Sequence, residues 1–305
     1  MSFCKRINNR NWDVYQNGCD RSKYEKAKFL QKESIKPGII VDMGSGTLIT
    51  EQMLSELYSD DKEFLEKIQI VGLDLSKEMM DTANVRKREC NDVSIDLIRS
   101  DITASCITDE SVDTVILFST LHEIYSDYGL QKFKEVLRHA YRILRPSGRI
   151  IIRDGIKPKD KTVYVRFGNQ RIKRKFYTFA KNFQPHSEKH IRKDGEYKFS
   201  FEEYRSEIIE LKLPDLFEFL VKYFYKENWD IETKERWGVL TQKEWVENLT
   251  DIGFRDMRTD VHLLSYFRSL YAKDGIVIYH KVGGDYRIMH YPNTHIVIAA
   301  EKAKI

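Results

Sequence analysis

Three short stretches of this chain combine residue types that do chemistry. Residues 41 to 48 read Val-Asp-Met-Gly-Ser-Gly-Thr-Leu directly after Ile39-Ile40, and a second apolar run, Ile68 to Leu73, ends in Asp74. Gly44 and Gly46 permit a tight turn and let the main chain approach a ligand closely, because glycine has no side chain to block it. A carboxylate ending the next strand, as Asp74 does, is placed to bind ribose hydroxyls. Gly46 is followed by Thr47, Leu48 and Ile49, so the third glycine of a pyrophosphate-binding fingerprint is absent and a dinucleotide is disfavoured. The third stretch is Phe118-Ser119-Thr120-Leu121-His122-Glu123-Ile124-Tyr125. With an ordinary pKa of about 6.5, His122 suits a general base that takes a proton from a hydroxyl or an amine, and Glu123 either orients it or acts as the base itself. The alternative is that His122 only shapes the pocket and proximity does the work.

These residues need a scaffold that brings strand ends together. From 38 to 154 apolar runs of strand length alternate with amphipathic helical stretches, which predicts a parallel sheet with crossover helices. Strands are expected at 39–43, 68–73, 95–99, 113–118 and 149–153, and helices near 48–59, 77–88 and 129–143. Residues 155–240 interrupt the alternation with helical patterns, notably Leu213 to Tyr225, and are expected to form an inserted helical cap. A helix near 241–251, a strand near 257–266 and a last strand at 295–300 then complete the core within 241–305. A hairpin is expected between the last two, with Leu270–Ala272 and Ile276–Tyr279 flanking Lys273-Asp274-Gly275. Residues 1–37, with a helix-compatible stretch at Ser22–Leu30, are expected to act as a lid or brace.

The order acid, Gly-x-Gly, strand, acid resembles the first two motifs of class I S-adenosylmethionine-dependent methyltransferases, over 38–154 closely and over 241–301 more loosely. That resemblance implies a Rossmann-like, doubly wound α/β fold whose mostly parallel sheet carries an antiparallel last strand, and S-adenosyl-L-methionine as cofactor. It also implies roles. Asp42 would begin the glycine loop, Gly44 and Gly46 would line the methionine part of the cofactor, and Asp74 would take both ribose hydroxyls. Leu75, Met79, Asp101, Ile102 and Ser119 would complete the cofactor site, with Met79 on the adenine ring and Asp101 at its amino group. The Asn/Asp-Pro-Pro-aromatic signature of many enzymes that methylate nucleic-acid amines is absent. The intact glycines argue against a non-catalytic cofactor-binding partner.

The 305 residues, 41% hydrophobic and 32% charged, suffice for a sizeable core. No apolar run approaches the roughly 18 residues needed to span a bilayer, and a cytoplasmic protein without membrane contact is expected. Cys4, Cys19, Cys90 and Cys106 stand far apart, so they are expected to be free thiols, and no metal site is expected. Net charge is +4, yet between Lys157 and Lys193 twelve Lys or Arg residues face two acids. Within that insert Arg166, Arg171, Lys173, Arg174 and Lys175 interleave with aromatics, which suits an anionic partner. A polar, anionic small molecule under the cap is the first expectation, with Tyr125, Asp154, Arg166, Arg171, Arg174 and Arg236 as candidate contacts. An RNA or nucleotide acceptor is the second, and a merely solvated basic helix face the third. Nothing in the sequence indicates an oligomeric state.

Overall fold

The computed structural model describes Leu30 and residues 35–304 apart from 91, 92, 189–195, 206 and 226. The expected N-terminal lid or brace therefore lies almost wholly outside the described residues, as do Cys4 and Cys19. Cys90, buried, and Cys106, exposed, are free thiols.

The first strands are near-continuous apolar runs, as strands covered on both faces must be. β1 (Gly38–Met43) pairs in parallel with β2 (Ile68–Asp74) on one side and β4 (Val112–Phe118) on the other, while β3 (Ser94–Arg99) pairs with β2. β5 (Leu144–Gly155) runs parallel to β4 and antiparallel to the last strand, here β12 (His295–Lys302), which also pairs antiparallel with β9 (Phe254–His262). The seven strands lie in the order β3-β2-β1-β4-β5-β12-β9. Chain order reverses between β1 and β4, and ligands of open α/β sheets bind outside the strand ends at that point. The expected mostly parallel sheet with an antiparallel last strand is what forms.

Helices α1 (Ile49–Leu57), α2 (Lys62–Glu66), α3 (Lys77–Arg86) and α4 (Leu121–Ile143) cross between these strands. α4 starts eight residues before the expected helix, because Gly129, at φ 79° and ψ −177°, interrupts it and hides its first two turns from a periodicity reading. His122 and Glu123 thus sit in the first turn of a helix and not in a loop.

The inserted cap differs from the expected helical one. It holds α5 (Gln170–Asn182), α6 (Leu213–Leu220) and α7 (Trp229–Glu232), but also a five-stranded antiparallel sheet. β6 (Thr162–Arg166), β7 (Phe201–Tyr204) and β8 (Ile208–Lys212) come from the insert. Val163 and Val165 of β6 and Ile209 and Leu211 of β8 alternate inward onto Phe176 and Phe179 of α5, which is strand rather than helix periodicity. Two further strands come from the C-terminal part. After α8 (Gln242–Ile252) and β9, the expected first arm of the hairpin is instead helix α9 (Ser265–Lys273), whose Phe267 and Tyr271, four apart, bury the same face. The hairpin lies later, between β10 (Val277–Val282) and β11 (Asp285–Met289), and turns at Gly283-Gly284, both with positive φ. β10 pairs with β6, so this hairpin completes the cap sheet and does not extend the core sheet. No helix among the described residues is long and apolar enough to cross a membrane.

Candidate active site

The glycine loop turns at the carboxyl end of β1, and its main chain is tied to β2: the amides of Gly44 and Ser45 both donate to the Leu73 carbonyl, at 2.8 and 3.0 Å. Gly44 has φ +92°, and a Cβ there would lie 2.4 Å from Thr120 Oγ1, so conformation and space both demand glycine. Gly46 has φ +53° and faces open space, which a Cβ would begin to fill. Leu48, two residues after Gly46 and directly before α1, is buried at φ 65°. A non-glycine residue held there costs on the order of 1–3 kcal/mol, and such strain gathers at functional loops.

Asp74 closes the loop from the β2 side. Its Oδ2 accepts the Gly46 amide at 3.0 Å and its Oδ1 the Ser76 amide at 2.8 Å, and each oxygen keeps a lone pair for a ligand. Burial raises its pKa, against those bonds. Beside the loop lies a cavity of about 430 Å³, within the range of small-molecule sites. Of the nine residues expected to hold a cofactor, eight line it: Gly44, Gly46, Asp74, Leu75, Met79, Asp101, Ile102 and Ser119. Leu75 is among the exposed large hydrophobic side chains, as is Tyr128 across the same cavity, so an apolar surface is ready to cover a flat ligand. Asp101 is itself turned: its Oδ1 accepts from the Thr103 amide and hydroxyl at 2.8 and 2.7 Å. Asp42, the ninth, is not in the lining. It is buried under the loop beside Glu51, whose carboxyl is pushed well above its ordinary range by burial and by the Asp42 charge. Its place is a consequence of parallel strands alternating faces, the ligand-facing role passing to the loop after it.

The far wall is the amino end of α4. Thr120 supplies no side-chain cap. Asp154, at the end of neighbouring β5, caps the helix from outside: its Oδ2 accepts the amides of Leu121 and His122 at 2.9 and 3.2 Å. Its Oδ1 accepts from Gly155 N at 2.7 Å and meets His122 Nδ1 at 2.8 Å. A carboxylate at a helix amino end is favoured by the exposed N–H groups and the helix dipole. Asp154 is completely buried and fully engaged, which corrects its expected role as a substrate contact: it fixes the His122 ring. Burial alone would lower the His122 pKa, but the charge and hydrogen bond of Asp154, with Glu123 and Glu235 nearby, raise it instead. Trp237 from the cap packs against the ring, centroids 4.3 Å apart. Glu123 lines the cavity directly, whereas His122 sits behind it.

The remaining candidates scatter. Tyr125 is half-buried on the core side of the cap seam, edge-on to Phe133. Arg236 is buried on the cap side, where it donates to Glu188 at 3.0 Å and lies over the Tyr197 ring at 4.8 Å. Its amide donates to Ser126 on α4, at 2.9 Å, so the seam is stitched close to the cavity wall. Arg166, Arg171 and Arg174 are exposed and absent from the lining, contrary to their expected role in the site. For two of them the reason is helix geometry: Ile172, Phe176 and Phe179 turn inward on α5, which leaves Arg171 and Arg174 in solvent, while Arg166 stands at the exposed end of β6. Thr120, Lys132, Glu235 and Trp237 were not legible as site residues. Thr120 alone carried a signal, as a hydroxyl residue preceding a helix.

Residues 41–152 match a family described as a methyltransferase domain. No curated relative matches. A structure from Bordetella parapertussis, titled a possible exported protein, aligns with a TM-score of 0.50 at 14% identity, covering 93% of this chain and 68% of that one. A S-adenosylmethionine-dependent methyltransferase from Methanosarcina mazei aligns at 0.48 and 12% identity, covering 90% and 96%. One from Thermotoga maritima, titled a possible histamine N-methyltransferase, aligns at 0.47 and 16%, covering 97% and 98%. At such identities likeness concerns the fold alone. The strand order, the glycine loop that only glycine fits, the acid facing it and the family match over 41–152 identify a methyltransferase domain of Rossmann-like fold within this chain.

Proposed function

We propose that the enzyme methylates a nitrogen or oxygen nucleophile of a small polar molecule, seated between the cavity and the seam of the cap. S-adenosylmethionine supplies the methyl group on a cationic sulfonium when bound, and Gly44, Gly46, Asp74 and Met79 are the residues that would hold it. The observation carrying the reading is Glu123 at the cavity wall with His122 locked behind it by Asp154. That arrangement offers a carboxylate and an imidazole of fixed orientation to take up a proton, while Arg236 and Trp237 of the cap exclude water. The earlier expectation of an anionic acceptor gains no support from charge: the lining contributes Asp74, Asp101 and Glu123 against Lys132.

An RNA acceptor is favoured less, because the basic face of α5 is solvated and its Lys175 and Arg171 already meet the Tyr223 carbonyl and Asp274. Release of S-adenosylhomocysteine measured with panels of small amines and hydroxyl compounds, and with unstructured RNA, tests the proposal. Turnover of a small molecule that responds weakly to salt is expected. Turnover confined to RNA, falling steeply with salt at a log–log slope of about −0.7 per phosphate contact, would overturn it.

A further inference from the structure

The most concentrated charge of the chain is not used by the cavity. α5 carries Arg171, Lys173, Arg174, Lys175 and Lys181 and no carboxylate in its 13 residues. With residues 221–225 and α9 it covers one face of the cap sheet, where Ile172, Phe176, Phe179, Tyr223, Phe267 and Tyr271 are buried together. Two contacts hold these segments side by side: Lys175 Nζ donates to the Tyr223 carbonyl at 2.9 Å, and Arg171 reaches Asp274, directly after α9, at 3.7 Å. Their sides turned away from the sheet therefore share one surface. On it Arg171, Arg174 and Lys181 of α5 and Arg268 and Lys273 of α9 are exposed, against Glu227 and Asp230 in the segment between them. That segment also begins with a knot of rings. Phe224 packs on Tyr225 with centroids 4.5 Å apart, on Phe267 at 5.5 Å and on Tyr266 at 6.0 Å. Tyr266 is 43% exposed, and Phe224 and Tyr225 are half-buried.

We propose that this face of the cap docks the protein on an anionic lipid bilayer, with Phe224, Tyr225 and Tyr266 entering the interface and the cations of α5 and α9 meeting lipid headgroups. This departs from the expectation of no membrane contact, which rested on the lack of a spanning run; docking on a surface needs none. Rings with an apolar body and a polar tip, such as Tyr225 and Tyr266, settle at headgroup depth. Binding of this kind adds buried apolar area to the attraction between basic side chains and anionic lipids. Each Lys or Arg brought near such a surface contributes about fivefold in affinity. The Arg171 contact with Asp274 is no obstacle, because a pair whose arginine is 70% exposed is weak. An unstructured nucleic acid fits the face less well: base stacking needs a free ring face, and Phe224 already packs against three rings. Of these residues none lines the cavity, so docking and methyl transfer use separate groups.

Co-sedimentation of the full chain with lipid vesicles tests the proposal, phosphatidylcholine mixed with phosphatidylserine being compared with phosphatidylcholine alone. The wild type should sediment with the mixed vesicles, stay in solution with the neutral ones, and be released by added salt. Arg171→Glu with Arg174→Glu should weaken the partition by at least about twenty-five-fold, two cations at about fivefold each. Tyr266→Ser should weaken it by roughly threefold to tenfold, as expected for burying part of a large side chain. Denaturant midpoints check that the variants fold, and Arg268→Glu with Lys273→Glu takes the place of the α5 pair should that pair fail to. Absence of wild-type sedimentation with the mixed vesicles at low salt, or wild-type partition in either the charge-reversed protein or Tyr266→Ser, would overturn the proposal. So would unstructured RNA stripping the wild type from the vesicles, a result that would assign the face to nucleic acid.

Discussion

The rim of the cavity and the basic helix α5 carry opposite charge and opposite amounts of order. At the rim Asp154 makes four hydrogen bonds in complete burial and His122 is packed between it and Trp237. On α5 Arg171 has a side chain 70% exposed and reaches Asp274 only at 3.7 Å. An exposed pair of that kind is worth about 0–1 kcal/mol. Charge density along the sequence peaks at α5, yet the groups whose positions are fixed by buried partners lie at the rim. Fixed position, not charge, is what a transition state can use. Replacing residues in each region separates the two.

The largest effect is expected at His122. His122→Ala should lower turnover of the acceptor found by screening by about 10²–10⁴ while S-adenosylmethionine binds nearly as before. Wild-type turnover in that variant would remove the rim from the chemistry. Next comes the hub that holds the cap segment over the rim. Glu218, fully enclosed, pairs with Lys222 and accepts the amides of Trp237 and Gly238 at 3.0 and 2.8 Å. Glu218→Gln breaks a buried ion pair on one side, so unfolding in denaturant at neutral pH should show a loss of about 3–5 kcal/mol. A loss below about 1 kcal/mol, the value of an exposed pair, would erase the contrast between buried and solvated charge.

The same residue gives a pH dependence. Burial pushes the Glu218 pKa up, but Lys222 and Arg236 outweigh it, and the folded value lies below the ordinary one. A depressed carboxyl pKa contributes stability that is fully present above the unfolded value of about 4.3 and is lost as pH falls through the folded value. Thermal midpoints should therefore drop more steeply below that pH in the wild type than in Glu218→Gln. Parallel curves would show that Glu218 is not the group responsible.

Strands buried on both faces announced themselves. β1, β2 and β4 are apolar runs with acids or hydroxyl residues at their ends, and the cavity residues Gly44, Gly46 and Asp74 follow from those ends. The cap sheet was hidden because β7 and β11 are short and contain no buried residue, and because β10 reaches β6 from a distant part of the chain. Asp154 read as a rim residue since it ends a strand; only the neighbouring helix start, drawn beside it by the β4–β5 pairing, makes it a buried cap. Glu235 and Trp237 belong to no periodic element, so tertiary packing alone brings them to His122. The α5 face was legible as amphipathic, but which use its cations have is a matter of where the helix docks.

The smallest effect belongs to that face: Arg171→Glu with Arg174→Glu should change stability by no more than about 0.5 kcal/mol, as for surface substitutions in general, checked by denaturant midpoint. The measurement that tests the central assignment most directly sets both regions side by side in one calorimetric titration of S-adenosylmethionine. Asp74→Ala should weaken binding by about 1.5–3 kcal/mol, the value of hydrogen bonds to a charged group, whereas the doubly charge-reversed α5 should bind within about 0.5 kcal/mol of wild type. Unchanged affinity in Asp74→Ala, or a loss confined to the α5 variant, would contradict a cofactor site built on the ends of β1 and β2.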